Sequence, residues 1–307
     1  MALTLTEAAK LSNDVLKSGV IETIVKDSPI LQNLPFIEIV GNGLTYNREN
    51  TLPTIGFYDP GEAWAESTPT FTQLTAALKI MGGDADVDNF LKATRSNIQD
   101  LEAAVIELKA KAARQTFEDA FIYGDATTNP KQFDGLRKLI NTAVASDQLV
   151  AMGATGGTLT LAKLDSLIDT IRGDKPDVML MSRRSRRKLN ALVRAAGSGM
   201  MEIQRDNWGN FISLWNGIQV VISDYILDTH VLSASLETTT TSGTCSTIYV
   251  FKYGENALSG LTAPGNLTVE KLGSLETKDA TRTRIKWYCS LALFATIKAG
   301  ALIGVQD

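Results

Sequence analysis

The chain has 307 residues, with 30 Lys+Arg against 34 Asp+Glu (formal charge −4), one histidine and two cysteines. At 44 % hydrophobic residues it is globular rather than disordered, and its length suggests about two domains. His230, Cys245 and Cys289 cannot supply a zinc site from the usual N/S ligands, a C-x-x-C motif or a disulfide framework, and a mildly acidic chain is a poor general binder of nucleic acid.

Met1 to Lys10 lacks a basic region followed by an apolar core, so no secretory signal is expected. Residues Leu5 to Lys26 read as a helix, with Ala8, Leu11, Val15 and Leu16 at helical spacing and Gly19 weakening its middle. Pro29 and Pro35 end it in a connector. From Phe36 the period changes to strand, turn, strand: Phe36 to Val40, Gly41-Asn42-Gly43, then Leu44 to Arg48. Thr51 to Pro69 holds Pro53, Gly56, Pro60, Gly61 and Pro69 around Phe57, Tyr58 and Trp64, which excludes a helix. Thr70 to Asp88 is again extended. The simplest object is a long two-stranded excursion with an irregular tip. A lone hairpin is marginal in water, and exposed aromatics at its tip call for a covering surface, so a partner subunit is expected.

Ser96-Asn97-Ile98-Gln99 is a capping-box pattern opening a helix to about Tyr123, roughly 40 Å long. Ile98, Leu101, Val105, Leu108 and Ala112 form its expected apolar stripe, Glu107 and Lys111 a supporting pair, and Gly124 its stop. Ala145 to Gly157 reads as a loop. An α/β unit follows: a helix Thr160 to Arg172, a buried strand Val178 to Met181, and a helix capped by Ser182 with Leu189, Leu192, Val193 and Ala196 on its apolar face. Gly217 to Tyr225 and Ser246 to Tyr253 are further strands, with an exposed loop at Thr238 to Ser242. Thr281 to Ala295 alternates: Ile285, Trp287, Cys289, Leu291 and Leu293 should be buried, while Arg282, Arg284 and Lys286 should face solvent or a partner. The most apolar stretch, Trp287 to Val305, is interrupted by Lys298 and two glycines, so no membrane span is expected.

Chemistry-bearing patterns are sparse. Asp84, Asp86 and Asp88 resemble the start of a calcium loop, but Asn89 and Arg95 stand where Gly and Glu are required, so a solvated acidic edge is the simpler reading. Gly153 to Gly157 lacks the P-loop lysine and the dinucleotide fingerprint. His230 has no nucleophile elbow to serve and reads as an ordinary surface or edge histidine. No catalytic residue, metal or cofactor is expected.

Charge is distributed unevenly. Arg183, Arg184, Arg186, Arg187 and Lys188 crowd the first turns of a helix, the end that prefers anions, which fits either a solvated face or an anionic partner. The hairpin tip carries Glu49, Asp59, Glu62 and Glu66 but only Arg48 as a cation, whereas Arg282, Arg284 and Lys286 have the opposite sign. Docking of the acidic excursion on a basic strand or helix surface of a neighbouring subunit is one expectation; independently solvated charges are the other.

The order of elements resembles the major capsid proteins of tailed phages, with the Hong-Kong-97-like α+β fold. Thr45-Tyr46-Asn47-Arg48-Glu49-Asn50-Thr51-Leu52-Pro53 looks like a rising E-loop strand, Gly82-Gly83-Asp84-Ala85-Asp86-Val87-Asp88 like the descending one. Tyr123-Gly124-Asp125 with Phe133-Asp134-Gly135-Leu136 is similar to the turn after the spine helix. The resemblance implies an N-terminal arm over 1–35, the E-loop and flanking strands over 36–92, a P-domain with spine helix over 93–140, an A-domain over 141–261 and P-domain return strands over 262–307. It implies hexamers and pentamers closing into an icosahedral shell around double-stranded DNA, located in the virion and assembled in the host cytoplasm. A portal and separate scaffolding or decoration proteins would be its partners. Leu44 to Leu78 contains no lysine, so a non-covalent shell is expected. Encapsulin shells, which enclose protein cargo, share the fold and are the alternative.

Overall fold

The computed structural model describes residues 28–90, 101–197, 201–205, 211–265 and 267–307. The expected helix Leu5 to Lys26 and the Ser96 capping box lie outside them. Ser28 is the N-cap of a short helix α1 (Pro29–Asn33), its hydroxyl accepting from the Leu31 amide; Pro29 therefore opens a helical turn where only a connector was expected.

Strand β1 (Phe36–Glu38) runs parallel to β14 (Leu258–Thr262) and does not pair with β2 (Gly43–Thr51), so the turn between β1 and β2 redirects the chain rather than closing a hairpin. β2 pairs instead with β3 (Thr70–Ala77), and Leu52 to Pro69 between them is irregular, as expected. The extended run breaks at Leu78. Beyond it β4 (Lys79–Asp88) leaves the hairpin and pairs along β16 (Ala280–Leu293). β15 (Thr268–Ser274) lies on the opposite edge of the same β16 residues, and β14 pairs with its C-terminal part.

The long helix α2 (Leu101–Tyr123) spans about 35 Å of described chain. Its buried face keeps only part of the expected stripe: Val105 packs against the core, while Ile98 and the side chain of Leu101 lie outside the described residues. Ile106, Ala110, Phe117, Ala120 and Phe121 are buried, whereas Leu108 is 65 % exposed and Ala112 is exposed. Leu108 and Ala112 miss the buried face because the strongest anchors, the two phenylalanines, come in the C-terminal half and set it. Glu107 and Lys111 do pair, at 2.8 Å. Phe117 stacks on Trp287 at 4.9 Å and lies 6.3 Å from Phe36, 5.8 Å from Phe133 and 6.2 Å from Phe121, which meets Phe251 at 6.1 Å. One line of aromatic rings thus runs from the β16 sheet through α2 to the second sheet.

Gly124 ends α2 by close approach. A Cβ there would stand 2.3 Å from the Phe133 carbonyl oxygen, and one on Gly135 would stand 2.5 Å from that of Ala120. The Gly135 amide donates to the Gly124 carbonyl at 2.8 Å, and Asp134 accepts the Ala126 amide at 2.9 Å. These contacts explain the residue types in Gly124-Asp125 and Phe133-Asp134-Gly135. Helix α3 (Leu136–Ile140) follows.

The second sheet has the order β5 (Leu149–Ala151), β17 (Ala299–Gln306), β13 (Ser246–Phe251), β7 (Val178–Met181), β10 (Ile218–Ile222), β9 (Phe211–Trp215), β8 (Met201–Arg205), with β6 (Gly157–Thr158) also on β17. Residues 145–157, expected as loop, therefore contribute short parallel strands, and β8 and β9 were not anticipated. Both faces of the central strands are covered. Leu180, Tyr249, Phe251 and Ile303 join the α2 core; Met179, Met181, Ile248, Val250 and Leu302 join a second core. That second core includes Leu164 and Leu167 of α4 (Leu161–Asp169) and Leu189 of α5 (Arg183–Ala196). Ser182 caps α5, accepting from the Ser185 amide, and Gly197 closes it with φ +61.

β14 spans the division between 261 and 262, and β17, expected with the return strands of 262–307, lies inside the second sheet. The loop at Thr238 to Ser242 is partly strand, because β12 (Leu236–Thr239) pairs with β11 (Val231–Ser233). His230 is not a surface residue: it is fully buried, bridging Cys245 through the backbone.

Candidate assembly surfaces

The five odd positions of β16 are buried as expected. Its basic positions do not form an open patch. Arg282 donates from Nε and Nη2 to Asp86 at 2.7 and 2.8 Å, and Arg284 does the same to Asp84 at 2.7 and 3.0 Å. These are directly opposed cross-strand pairs. Lys278 adds a contact to Asp86 at 2.9 Å, and Lys286 pairs with Glu270. The β16 cations and the Asp84/Asp86 edge therefore neutralise each other within one subunit. Neither is a run of unpaired, independently solvated charges.

Arg284 and Arg282 hold the Asp84 and Asp86 carboxyls below the usual carboxylate range. A carboxyl whose folded value is depressed contributes stability above its unfolded value, near pH 4, and loses it as pH falls further. The Asp84→Asn, Asp86→Asn double variant should therefore lose stability relative to wild type at pH 7, with the gap closing below about pH 4. Acid titration of the unfolding midpoint checks this; a gap that widens on acidification would contradict it.

The basic helix is largely self-paired too. Arg183 makes a bidentate pair with Asp224, Arg184 donates to the Thr244 and Val305 carbonyls and faces Asp228 at 3.5 Å, and Arg187 reaches Asp307 at 3.3 Å. Arg186 is exposed and, with half-buried Lys188, has no ion-pair partner among the described residues. It lines a cleft of about 510 Å³ between α2, α5 and β10, with Arg114, Glu118, Arg183, Asp224 and Tyr225.

The excursion is different in kind. Arg48 is not at its tip. It donates to the Leu293 carbonyl and sits over the Tyr46 ring, which meets Phe294 at 5.0 Å, so Arg48 and Tyr46 fasten the paired part of the hairpin to the end of β16 of their own subunit. Beyond Arg48 the tip has Glu49, Asp59, Glu62 and Glu66 and no cation up to Pro69, all four acids being exposed. These four equal the whole imbalance between 34 acids and 30 bases.

The tip is internally ordered. Tyr58 stacks on Trp64 at 5.1 Å and its hydroxyl accepts the Ala65 amide; Glu62 accepts the Asp59 amide at 3.0 Å. Thr54 and Ser67 exchange two hydrogen bonds across the base. Yet Ile55 is 93 %, Phe57 108 % and Trp64 82 % exposed. These three side chains are left uncovered by the described residues of their own subunit.

A phage capsid family model matches residues 11–260. Among solved structures, a chain of the holo-SrpI encapsulin complex from Synechococcus elongatus PCC 7942 is similar with a TM-score of 0.68 at 17 % identity, over 100 % of this chain and 97 % of that one. A chain of Mycobacterium phage Bobi gives 0.62 at 17 % identity over 100 % and 99 %, and a capsid chain of a native GTA particle gives 0.61 at 16 % over 92 % and 90 %. No curated protein sequence matches. Identities this low speak for the fold, which is the Hong-Kong-97-like α+β fold. The family match covers most of the chain, and a hairpin with an uncovered aromatic tip suits a subunit that is completed by its neighbours. The chain belongs to the phage capsid family and is a major capsid protein.

Proposed function

We propose that the subunit assembles through hexamers and pentamers into an icosahedral, non-covalent shell enclosing double-stranded DNA, without catalysis, metal or cofactor. Assembly takes place in the host cytoplasm, and a portal and separate scaffolding or decoration proteins complete the particle. The observation that carries this reading is the exposed tip. The acidic, aromatic segment Leu52 to Pro69 docks on a second copy, because among the described residues of its own subunit none covers Phe57 or Trp64. Each such contact is small, but many per subunit act together. This reading gives the basic side of the contact to Arg186 and Lys188 on α5, since Arg282, Arg284 and Lys286 pair with acids of their own subunit.

Arg186→Gln should slow assembly severalfold with unchanged subunit stability, since an exposed charge steers association more than it supports a fold. Assembly followed by light scattering at low salt checks this; identical rates would remove Arg186 from the interface. The encapsulin-type reading, a shell around protein cargo, is favoured by the 0.68 TM-score over nearly the whole of both chains. Negative-stain imaging of purified protein, with nucleic-acid analysis of the particles, tests both. Shells holding DNA support the first reading and shells holding protein cargo the second; a monomer at all salt concentrations contradicts both.

A further inference from the structure

In three places the sequence sets Asn or Asp directly before Gly: Asn42-Gly43, Asp134-Gly135 and Asn216-Gly217. Glycine carries no side chain to shield its amide nitrogen, so that nitrogen can attack the side-chain carbonyl carbon of the residue before it. Asparagine is among the thermolabile residues for this reason. The reaction asks three things of a fold: a side chain free of hydrogen bonds, an unengaged glycine amide, and a backbone able to turn that nitrogen onto Cγ.

Two of the three sites are held. At Asp134-Gly135 both groups are engaged: the Asp134 carboxylate accepts the Ala126 amide at 2.9 Å, and the Gly135 amide donates to the Gly124 carbonyl at 2.8 Å. Asn216 and Gly217 are the two central residues of the turn joining β9 to β10, with φ of 49 and 73, the geometry of a type I′ hairpin turn. Trp215 and Ile218, paired on either side of it, are buried, and Lys175 donates to the Asn216 carbonyl. Swinging the Gly217 nitrogen onto the Asn216 side chain would break this turn.

Asn42 meets none of these restraints. It is exposed, and its side chain has no hydrogen-bond partner among the described residues. Exposed Val40 and Gly41 precede it, and Gly41 has φ +119 with open space where a Cβ would stand. Glycines on both sides give the segment freedom to turn. The Leu78 amide donates to the Asn42 carbonyl at 2.9 Å, and Gly43 stands opposite Ala77. Bonded and non-bonded pairs alternate along an antiparallel ladder, so the Gly43 amide points away from β3. β2 pairs with no other described strand, which leaves that amide open.

We propose that Asn42 is a site of self-modification: in the folded subunit Asn42 deamidates, while Asn216 is protected by its turn. The Gly43 nitrogen gives its proton to hydroxide, bonds to the Asn42 Cγ and expels the side-chain NH2 as ammonia, closing a succinimide ring. Water then opens either ring carbonyl, leaving aspartate or isoaspartate. Nothing is oxidised or reduced, and water is the only reagent. Both products carry a new carboxylate. Isoaspartate also routes the main chain through Cβ and Cγ, so the carbonyl that accepted the Leu78 amide becomes a carboxylate off the main chain. That bond stands at the root of the hairpin, between its entry from β1 and its exit at Leu78 into β4, so its loss loosens the hairpin there. The reaction is intramolecular and stands whether or not the tip docks on a second copy.

Peptide mass spectrometry of the full-length chain, held at mildly alkaline pH, sampled over time and digested at acid pH, tests this. The Asn42 peptide should gain a component heavier by the exchange of NH2 for OH, divided between aspartate and isoaspartate. Asn216 should react at least roughly tenfold more slowly, the factor that breaking one ordinary hydrogen bond of its turn implies. In urea the two sites should react at similar rates, because only the fold separates them. Asn42→Gln, whose longer side chain closes the ring far more slowly, should remove the product and leave the unfolding midpoint unchanged. An Asn42 that stays intact in the folded chain, or that reacts no faster than Asn216 there, overturns the proposal, as does the same heavier peptide from Asn42→Gln.

Discussion

Phe117→Ala should destabilise the subunit by about 3–5 kcal/mol, the cost of a large aromatic removed from a core that cannot collapse around the gap. The site is rigid on every side. Phe117 is fully buried among Phe36 of β1, Trp287 of β16, Phe133 after the helix and Phe121 on the next turn. Trp287 is itself fixed, donating its indole N–H to Thr262 at 3.2 Å. The loss combines removed apolar area with several ring contacts, each contributing roughly 0.5–1.5 kcal/mol. Leu108→Ala on the exposed side of the same helix should stay within about 0.5 kcal/mol of wild type. Urea unfolding of the unassembled chain measures both. Equal effects at the two positions would mean that the helix packs on a different face.

The second large effect is on assembly rather than stability. Phe57→Ser with Trp64→Ser should leave the unfolding midpoint nearly unchanged, because neither side chain is buried in its own subunit. Covering an apolar side chain of this size contributes roughly 1.5–3 kcal/mol, so losing two at each contact should raise the concentration needed for assembly roughly a hundredfold or more. Sedimentation of the variant across a concentration series reads this directly. Wild-type particle yield at wild-type concentration would remove the tip from the interface.

Much of this fold was legible in the sequence, and the misses share a cause. The prolines and glycines of Thr51 to Pro69 announced the irregular tip, and the alternation of Thr281 to Ala295 correctly sorted Ile285 and Trp287 inward. Pairing partners were not legible. Phe36 to Glu38 reads as half a hairpin, yet it finds a parallel partner more than two hundred residues away. The same blindness made Arg282 and Arg284 look available: Asp86 and Asp84 lie far off in sequence and directly opposite in the sheet. The one histidine was misread similarly, since Tyr123, Arg137, Glu237 and Thr247 converge on it only once the chain has folded. The periodicity of the long helix misled for another reason. Its N-terminal leucines and valine form a regular stripe, but Leu108 in that stripe faces outward. The tip, by contrast, was visible as acid and aromatic residues, and what the sequence did not show was that Arg48 beside it donates to the Leu293 carbonyl of its own subunit.

The central claim is that Leu52 to Pro69 of one copy is covered by another. A cryo-EM map of the assembled wild-type particle tests it most directly. The account predicts Phe57 and Trp64 packed against a neighbouring subunit, with Asp59, Glu62 or Glu66 close to its basic side chains. A complete shell in which that tip still stands free in solvent would contradict it.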